Sequence, residues 1–418
     1  MYRATPWNII ILFFLVFSVL CTTSAAYGSG FGIFTQGASA LGQADAVVAH
    51  TDEPSAIFFN PALINDLPGT QMELGTTLIF PSREFKSNLT GTTSDGEDTV
   101  YYPSTFFISH SFNDTVSAGV GVFNPFGLGT EWDDDWEGRY IATQSEITTY
   151  TVNPVLSYRI TPRVSFAAGV DFLWFDTTLK KKINLNPYPD AKQKFSGDGS
   201  GIGYNLGILV NISDSISLGT SYRSKIDVDI DGDASFNLPS PLLIGVFPNT
   251  GGKTDITLPQ QVFAGISYMA SDQLTLEGGF RWEDWSSFKE LTIDLDQPIG
   301  GQTSMTEFKN WDSTYAVNIG AKYKLNEVVS LLAGYLYSEN PVPDDTVEPS
   351  IPDSDTHLFC VGTDMKFKKF KIAMSYAYQL QEDRNKNNFV GGKDPSRSAN
   401  GRYETELHLL GLSLAYRF

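Results

Sequence analysis

The stretch that decides the fold is residues 370–380, Phe-Lys-Ile-Ala-Met-Ser-Tyr-Ala-Tyr-Gln-Leu. Large apolar side chains from Phe370 to Leu380 alternate with small or polar ones from Lys371 to Gln379. Because successive side chains of a strand point to opposite faces, one face of this segment suits lipid and the other suits a polar interior. About ten residues is also the length with which a tilted strand crosses a bilayer. The stretch therefore predicts one strand of a membrane β-barrel.

The same alternation recurs along the chain, for example from Phe166 to Trp174 and from Leu276 to Trp282. A charged residue inside such an apolar strand, such as Arg281, suits a polar lumen rather than lipid. Fourteen strands are predicted, starting near the following residues: Gln71, Tyr101, Val116, Thr148, Val164, Phe195, Ile216, Ile256, Leu274, Thr306, Val328, Asp355, Phe370 and Arg402.

The connections between these strands differ in length. Short turns, such as Lys368-Lys369, follow the even-numbered strands, whereas long polar connections, such as Thr90–Thr99 and Glu382–Gly401, follow the odd-numbered ones. An even strand count with this asymmetry is typical of bacterial outer-membrane barrels, and a secreted β-sandwich has no reason to show it. The sequence thus predicts an all-β fold, a 14-stranded antiparallel transmembrane β-barrel over residues 69–418, crossing the outer membrane of a Gram-negative cell many times.

A secretory signal peptide is predicted at residues 1–26, where a basic residue and the apolar run Ile9–Leu20 precede small residues. Cys21 raises the alternative of a lipoprotein, although Leu20 is bulky for the position before a lipidated cysteine. If cleavage removes Cys21, Cys360 is the one cysteine left in the chain, and no intrachain disulfide can form. The net charge of −19 argues against binding to nucleic acid.

Residues 27–68 show neither strand alternation nor the composition of a disordered segment. Eight apolar residues of this segment need burial: Phe31, Phe34, Leu41, Val47, Val48, Ile57, Phe58 and Phe59. A barrel of fourteen strands is too wide for its own side chains to fill. We therefore expect the segment to fold into the lumen as a plug, with a periplasmic arm as the alternative.

Several motifs of this chain resemble a known family. The run Asp52–Leu63, with Asn60-Pro61-Ala62 at its centre, resembles the plug signature of the long-chain fatty-acid transporter (FadL-like) family. Further motifs resemble the family in the same order: Phe123–Gly127, Trp136–Tyr140, Ser221–Ser224, Trp285–Glu290 and Pro341–Asp344. The resemblance implies a fourteen-stranded barrel, an N-terminal plug and uptake of hydrophobic compounds, including fatty acids and aromatic hydrocarbons.

Two regions are candidates for binding a hydrophobic ligand. The outer loop from Phe236 to Pro248 is unusually apolar, which suits a landing site; its alternative role is to cap the barrel mouth. The candidate residues in this loop are Phe236, Leu238, Leu242, Leu243 and Phe247. Phe31 and Phe34 of the plug would bind ligand if the family arrangement holds, or would only pack in the lumen.

The third predicted strand is interrupted at Phe123-Asn124-Pro125, because proline cannot donate to a strand ladder. The resemblance implies a lateral exit into the bilayer at such a kink. Alternatively, the strand ends there and an outer loop begins. Arg223 and Arg281 are luminal candidates for a carboxylate head group, although pairing with a neighbouring Asp or Glu is the commoner use of such arginines.

The sequence therefore predicts an outer-membrane transporter of hydrophobic compounds, with a general diffusion porin as the alternative. The four histidines lie on different strands and loops, so a catalytic triad is not expected and the chain is not expected to be an enzyme. The acidic run from Glu131 to Asp135 could bind calcium, but is more often a solvated loop. No cofactor or metal is predicted. The expected partners are a hydrophobic ligand, outer-membrane lipid and lipopolysaccharide, and a monomer is expected.

Overall fold

The computed structural model describes residues 30–418. The predicted signal peptide, Cys21 and the first residues of the predicted plug lie outside the described residues. The described chain forms a closed antiparallel β-barrel of fourteen strands, several of which are interrupted. The barrel strands have these bounds: β1 Thr70–Ser87; β2 Ser104–Ser111; β3 Val116–Phe123 and Gly127–Glu131; β4 Gln144–Thr161; β5 Val164–Ile183; β6 Ala191–Asn211; β7 Ile216–Arg223 and Ile226–Asn237; β8 Thr250–Leu258 and Gln261–Met269; β9 Leu274–Glu283 and Glu290–Ile299; β10 Gln302–Phe308 and Thr314–Lys324; β11 Val329–Ser338; β12 Thr356–Phe367; β13 Phe370–Gln381; β14 Gly401–Arg417.

The fourteen predicted strands are confirmed, and β8 shows the largest offset, since it starts at Thr250 rather than near Ile256. The barrel closes where β1 pairs with β14, in an unbroken register from Gln71 opposite Arg417 to Ser87 opposite Gly401. Two three-residue strands, Thr93–Asp95 and Arg384–Lys386, add to the outer ends of β1 and β14.

Side chains along each strand follow the predicted alternation. On β13, Met374 and Tyr376 are exposed on the outer face, whereas Ala373, Ser375 and Ala377 are buried on the inner face. The outer face is therefore apolar and fit for lipid, and the inner face carries small and polar groups. This confirms the reading of residues 370–380.

The connections between strands show that the prediction of long connections after odd-numbered strands was wrong at one place. The turns after even-numbered strands are short, as expected. However, the connection between β9 and β10 is not a long loop: it is the two-residue turn Gly300-Gly301, with both glycines at positive φ, 59° and 85°. A two-residue hairpin with positive φ at both central positions suits glycine, so β9 and β10 extend outward as a hairpin instead of ending at the membrane.

The helices are short, and none in residues 30–418 is long and apolar enough to cross a membrane. They are the α-helices α1 Ala38–Gly42, α2 Ala56–Phe59 and α3 Pro395–Ser398, and the 3₁₀ helices Pro61–Asp66, Pro241–Leu243 and Trp285–Ser287.

Residues 30–67, which we call the luminal segment, lie inside the barrel. The segment bonds to groups on the inner faces of strands on several sides: the amide of Ala38 donates to Ser413 Oγ on β14 (2.9 Å), and Ser221 Oγ on β7 donates to the carbonyl of Phe59 (2.5 Å). Its apolar side chains form a buried cluster with inward-facing Phe107 and Phe263. The hydrophobic core of the molecule is therefore the filled lumen.

Candidate functional site

The Asn60-Pro61-Ala62 motif connects the luminal segment to the barrel wall. Asn60 is fully buried; its Oδ1 accepts from the amide of Ala62 (3.1 Å), and its Nδ2 donates to the carbonyls of Val48 (2.9 Å) and Ile208 (3.0 Å). Pro61 opens the following 3₁₀ helix, where a missing N–H costs nothing. One amide side chain thus caps a helix, joins two parts of the luminal segment and holds both to β6.

A cluster of charged residues anchors the middle of the luminal segment near the periplasmic turns. It contains three acids and three lysines: Asp52, Glu53, Asp364, Lys322, Lys366 and Lys371. Asp52 Oδ1 lies 2.9 Å from Nζ of both Lys322 and Lys371. Burial alone would raise the pKa of Asp52, but the neighbouring lysines outweigh it and hold that pKa well below its ordinary value. We call this group the charged base.

The first part of the luminal segment, residues 30–36, is attached differently, and we call it the arm. It runs as an extra strand against the interruption of β3, with Gly32 opposite Phe126 in an antiparallel bridge. The amide of Ile33 donates to the carbonyl of Pro125 (2.8 Å), and the amide of Gly127 donates to the carbonyl of Phe31 (2.9 Å). The arm therefore supplies backbone bonds that the interrupted strand lacks.

The outer end of the arm is held by a loop carboxylate. The amide of Gly30 donates to Oδ2 of Asp353, at 2.7 Å. Burial raises the pKa of Asp353 to about 7, although the bonds from Gly30 and Ser354 act in the opposite direction.

The sequence left open whether β3 ends or is interrupted at Asn124-Pro125. The strand resumes at Gly127, so the break lies within the wall. Asn124 bridges it: Oδ1 accepts from the amide of Ser104 (3.2 Å), Nδ2 donates to the carbonyl of Thr149 (2.5 Å), and its own carbonyl accepts from Gln36 of the arm (2.8 Å).

On one edge the second segment of β3, Gly127–Glu131, pairs with β4. On its other edge it is met by isolated bridges, Gly32 with Phe126 and Gly96 with Trp132. The ladder between β2 and β3 therefore stops at the break. Phe123, just before the break, is fully buried and packs against Phe58, with ring centroids 5.2 Å apart.

A cavity of about 670 Å³ lies beside the arm and extends to this break. Its apolar lining includes Phe31, Phe34, Ile79, Leu336, Leu358 and Leu409. The same cavity is lined by Tyr102 and Tyr150, which are 70% and 51% exposed, and Tyr150 is on the outward face of β4. The cavity thus reaches from the arm to the outer face of the wall.

The two luminal arginines named from the sequence are both engaged by acids. Arg223 Nη1 lies 2.8 Å from Asp171 Oδ1, and Arg281 Nε lies 3.0 Å from Glu283 Oε2. The guanidinium of Arg281 also covers the ring of Phe34 at 3.4 Å from its centroid. Both arginines therefore serve the packing of the lumen.

Arg83, which the sequence reasoning missed, lines the cavity. Within residues 30–418 it forms no ion pair, although Asp353 and the hydroxyl of Tyr101 are its charged or titratable neighbours. The sequence could have indicated this position. Arg83 lies two residues before the buried Phe85 on β1, so the two side chains share the inward face of the strand.

The apolar outer loop stands apart from the cavity, because none of its residues line it. Phe236 and Phe247 pack together, with ring centroids 5.9 Å apart, on a buried cluster at the outer ends of β6, β7 and β9. Leu238 and Leu243 are half-buried, whereas Leu242 is 86% exposed. The structure thus separates the loop candidates from Phe31 and Phe34.

The remaining chemistry-bearing residues have local partners. Asp134 and Asp135 of the acidic run form ion pairs with Lys192 and Lys182. Within the described residues, no group of three or more His, Cys, Asp and Glu side chains is arranged to hold a metal ion. His357 and His408 hydrogen-bond to tyrosine hydroxyls on the barrel exterior, both at 2.8 Å.

Comparison with solved structures supports the fold. The structure is similar to that of a FadL homologue from Pseudomonas aeruginosa, with a TM-score of 0.83 at 20% identity, covering 93% of this chain and 99% of the other. It is also similar to the toluene transporter TodX of P. putida, with a TM-score of 0.73 at 16% identity over 93% and 99% of the two chains.

Sequence relatives span almost the same length. A putative outer-membrane protein of Neisseria meningitidis serogroup B is 25% identical, covering 97% of this chain and 98% of the relative. The long-chain fatty acid transport protein of Salmonella typhi is 25% identical over 87% and 91% of the two chains. A family model described as outer membrane protein transport protein (OMPP1/FadL/TodX) matches residues 19–418. The filled fourteen-stranded barrel therefore belongs to this family of outer-membrane transport proteins, as the plug motif indicated.

Proposed function

We propose that this protein takes up hydrophobic small molecules, long-chain fatty acids or aromatic hydrocarbons, by diffusion through the cavity beside the arm. The apolar lining of that cavity supports the proposal, because an apolar solute gains free energy when it leaves water. The names of two similar proteins, a long-chain fatty acid transport protein and a toluene transporter, point to the same two classes of cargo.

The observation that carries the proposal is that the cavity joins the arm to outward-facing Tyr150 at the break in β3. In the proposed route, cargo lands on the outer loop at Leu242 and its apolar neighbours, enters the cavity, and leaves sideways into the bilayer past Asn124 and Pro125. A sideways exit suits apolar cargo because it avoids a passage through water. Arg83 offers a cation that would suit a carboxylate head group.

A general diffusion porin would need an open lumen. The buried luminal segment, held at Asn60 and at the charged base, favours a plugged transporter instead. We propose that the protein works as a monomer surrounded by outer-membrane lipid, with lipopolysaccharide outside. Planar-bilayer recordings separate the two functions: near-zero conductance supports the transporter, whereas large steady channels would establish a porin.

A disulfide between the arm and the break tests the lateral route. A Cβ added at Gly127 would lie 2.6 Å from Cδ1 of Ile33, so cysteines replacing Ile33 and Gly127 are close enough for a short rearrangement to join them. We expect the oxidised Ile33→Cys/Gly127→Cys protein to lose uptake of labelled oleate and toluene by whole cells, and dithiothreitol to restore it. Each single-cysteine variant is the control. Uptake that is unaffected by oxidation would exclude the lateral route.

A further inference from the structure

Four lysines form a square on the exterior of the barrel, and we call them the lysine quartet: Lys180, Lys182, Lys192 and Lys194. Lys180 lies directly opposite Lys194 in the ladder between β5 and β6, and Lys182 lies directly opposite Lys192. Residues in such positions have Cβ atoms about 5 Å apart, and like charges there destabilise a sheet. An anion bound between the lysines would relieve this repulsion, although the chain as a whole carries a net charge of −19.

Half of the quartet is neutralised by acids of an outer loop. Lys182 and Lys192 both form ion pairs, and Lys182 Nζ lies 2.7 Å from Oδ1 of Asp135. Lys180 and Lys194 are exposed, and neither forms an ion pair within residues 30–418. The uncompensated positive charge therefore lies on this one opposed pair of lysines.

The neighbouring strands place neutral polar residues beside the pair. Gln144 of β4 is opposite Lys180, and Ser235 of β7 is opposite Lys194. The row reaches a carboxylate at Glu131 of β3, two strand spacings or about 10 Å from Lys180. Salt screens charges over a similar distance, so Glu131 offsets little of the charge on Lys180. The acids that line the groove of about 750 Å³ beside the quartet all come from β3 and the loops that flank it: Glu97, Asp98, Glu131, Asp133 and Asp134.

The quartet lies on the outward face of the barrel, above the lipid. On β5 the exposed apolar side chains of this face end at Trp174, and on β6 they end at Ile202. Lys180 follows Trp174 by six residues, which is about 20 Å along the strand and roughly 15 Å above the edge of the apolar band at ordinary strand tilt. In the outer leaflet of this membrane, that height is occupied by the sugars of lipopolysaccharide.

A row of acids separates the quartet from the apolar band. Asp176 of β5 lies opposite Asp198 of β6, which lies opposite Asp231 of β7. Lys253 pairs with Asp231 at 2.7 Å, so the row keeps a net negative charge. These acids repel a phosphate at the level of the acyl-chain boundary. An anion held by the quartet must therefore lie farther from the membrane.

We propose that Lys180 and Lys194 bind a phosphate group on the core sugars of a neighbouring lipopolysaccharide molecule. Two opposed ammonium groups can both donate to one phosphate, which offers several acceptor oxygens and forms strong charge-assisted bonds. Height provides the selectivity: the lipid A phosphates lie next to the acyl chains, level with the acid row, whereas the core phosphates reach the quartet. The site anchors the protein in its leaflet and involves neither the cavity nor the arm.

The experiment titrates the purified full-length protein in detergent with rough-type lipopolysaccharide that retains its core phosphates, and native mass spectrometry measures the bound fraction. EDTA is present, so that divalent ions do not bridge the acid row to phosphate. We expect Lys180→Gln/Lys194→Gln to bind at least about tenfold more weakly than the wild type, because each lysine contributes to binding of an anionic lipid surface.

The matched control is Lys225→Gln/Lys253→Gln. It makes the same charge change at two exposed lysines of the outer face, but each of these already pairs with an aspartate. The control should bind lipopolysaccharide as the wild type does. Removal of the core phosphates should lower the affinity of the wild type to that of Lys180→Gln/Lys194→Gln. Lipid A without core sugars should bind the two proteins equally.

Equal binding of lipopolysaccharide by the wild type and Lys180→Gln/Lys194→Gln would overturn the proposal. A loss of lipid A binding as large as the loss of lipopolysaccharide binding would assign the contact to the lipid A phosphates and reject the core site. Displacement of lipopolysaccharide by a moderate excess of inorganic phosphate would make the pair a site for free phosphate and would also reject the proposal. If the double variant gives no folded barrel, judged by heat-modifiable migration on gels, Lys194→Gln replaces it and should still weaken binding.

Discussion

Asn60 shows how much one buried side chain can fix. Its amide side chain is fully buried and makes bonds to three backbone groups, Ala62 N–H and the carbonyls of Val48 and Ile208. Only an amide of this length offers an acceptor and two donors at once. The role of this residue type in the motif is thus explained by hydrogen bonding alone.

We expect Asn60→Ala to loosen the luminal segment while leaving the barrel intact. Each buried group left without a partner costs about 1–3 kcal/mol, and the three groups belong to the segment or its contact with β6. The measurement is the frequency of open-channel events in planar bilayers, which should rise, together with an unchanged heat-modifiable shift on gels. Asn88→Ala, at an exposed asparagine of an outer loop, should leave both unchanged. A wild-type conductance in Asn60→Ala would mean that the motif does not hold the segment.

At the scale of the element, the strands were predictable, whereas most of their interruptions were not. The period of two and the turn lengths locate all fourteen strands, because lipid on one side and a lumen on the other impose the same alternation everywhere. Pro125 and Pro259 mark two of the breaks, since proline cannot donate to a ladder. The break after Arg223 contains no proline. Nothing in the sequences of the arm and of β3 indicates that these two segments pair with each other.

The outer loop gives a second test at this scale. Replacing Leu242 and Leu243 by aspartate should slow uptake of hydrophobic compounds several-fold without affecting assembly, because Leu242 is largely exposed and Leu243 half-buried. Uptake by cells and the amount of folded barrel in the outer membrane are the two measurements. Leu89→Asp, at an exposed leucine of another outer loop, is the control. Uptake at the wild-type rate would show that the outer loop is not part of the uptake route.

For the whole molecule, the luminal segment divides into an arm that pairs with β3 and packs against aromatic side chains of the wall, and a remainder held by charge and burial. The charged base could not be derived from the sequence, because Asp52 and Glu53 precede its lysines by about 270 residues or more and meet them only once the segment is inside. The orientation of the segment in the lumen is a tertiary property, and the alternation of the strands carries no information on it.

Asp52→Asn/Glu53→Gln should release this remainder of the segment. It leaves Lys322, Lys366 and Lys371 with Asp364 as their one carboxylate in the cluster, and a loss of about 1.4 kcal/mol already makes a displaced segment about tenfold more frequent. Sensitivity of cells to a large antibiotic such as vancomycin should increase, with bilayer conductance as the direct measurement. Asp214→Asn, in an exposed periplasmic turn, is the matched charge change and should have no effect. Unchanged permeability would show that burial alone retains the segment.

The seam between β1 and β14 has a consequence for biogenesis. It joins residues 71–87 to residues 401–417, so this ladder forms between distant parts of the chain, and such contacts are slow to form. The luminal segment immediately precedes β1 and touches strands on every side of the lumen, including β14. The entry of the luminal segment and the pairing of β1 with β14 must therefore be ordered in time. A barrel that closes first would leave the luminal segment outside. Assembly of this protein therefore includes the insertion of its luminal segment into the barrel.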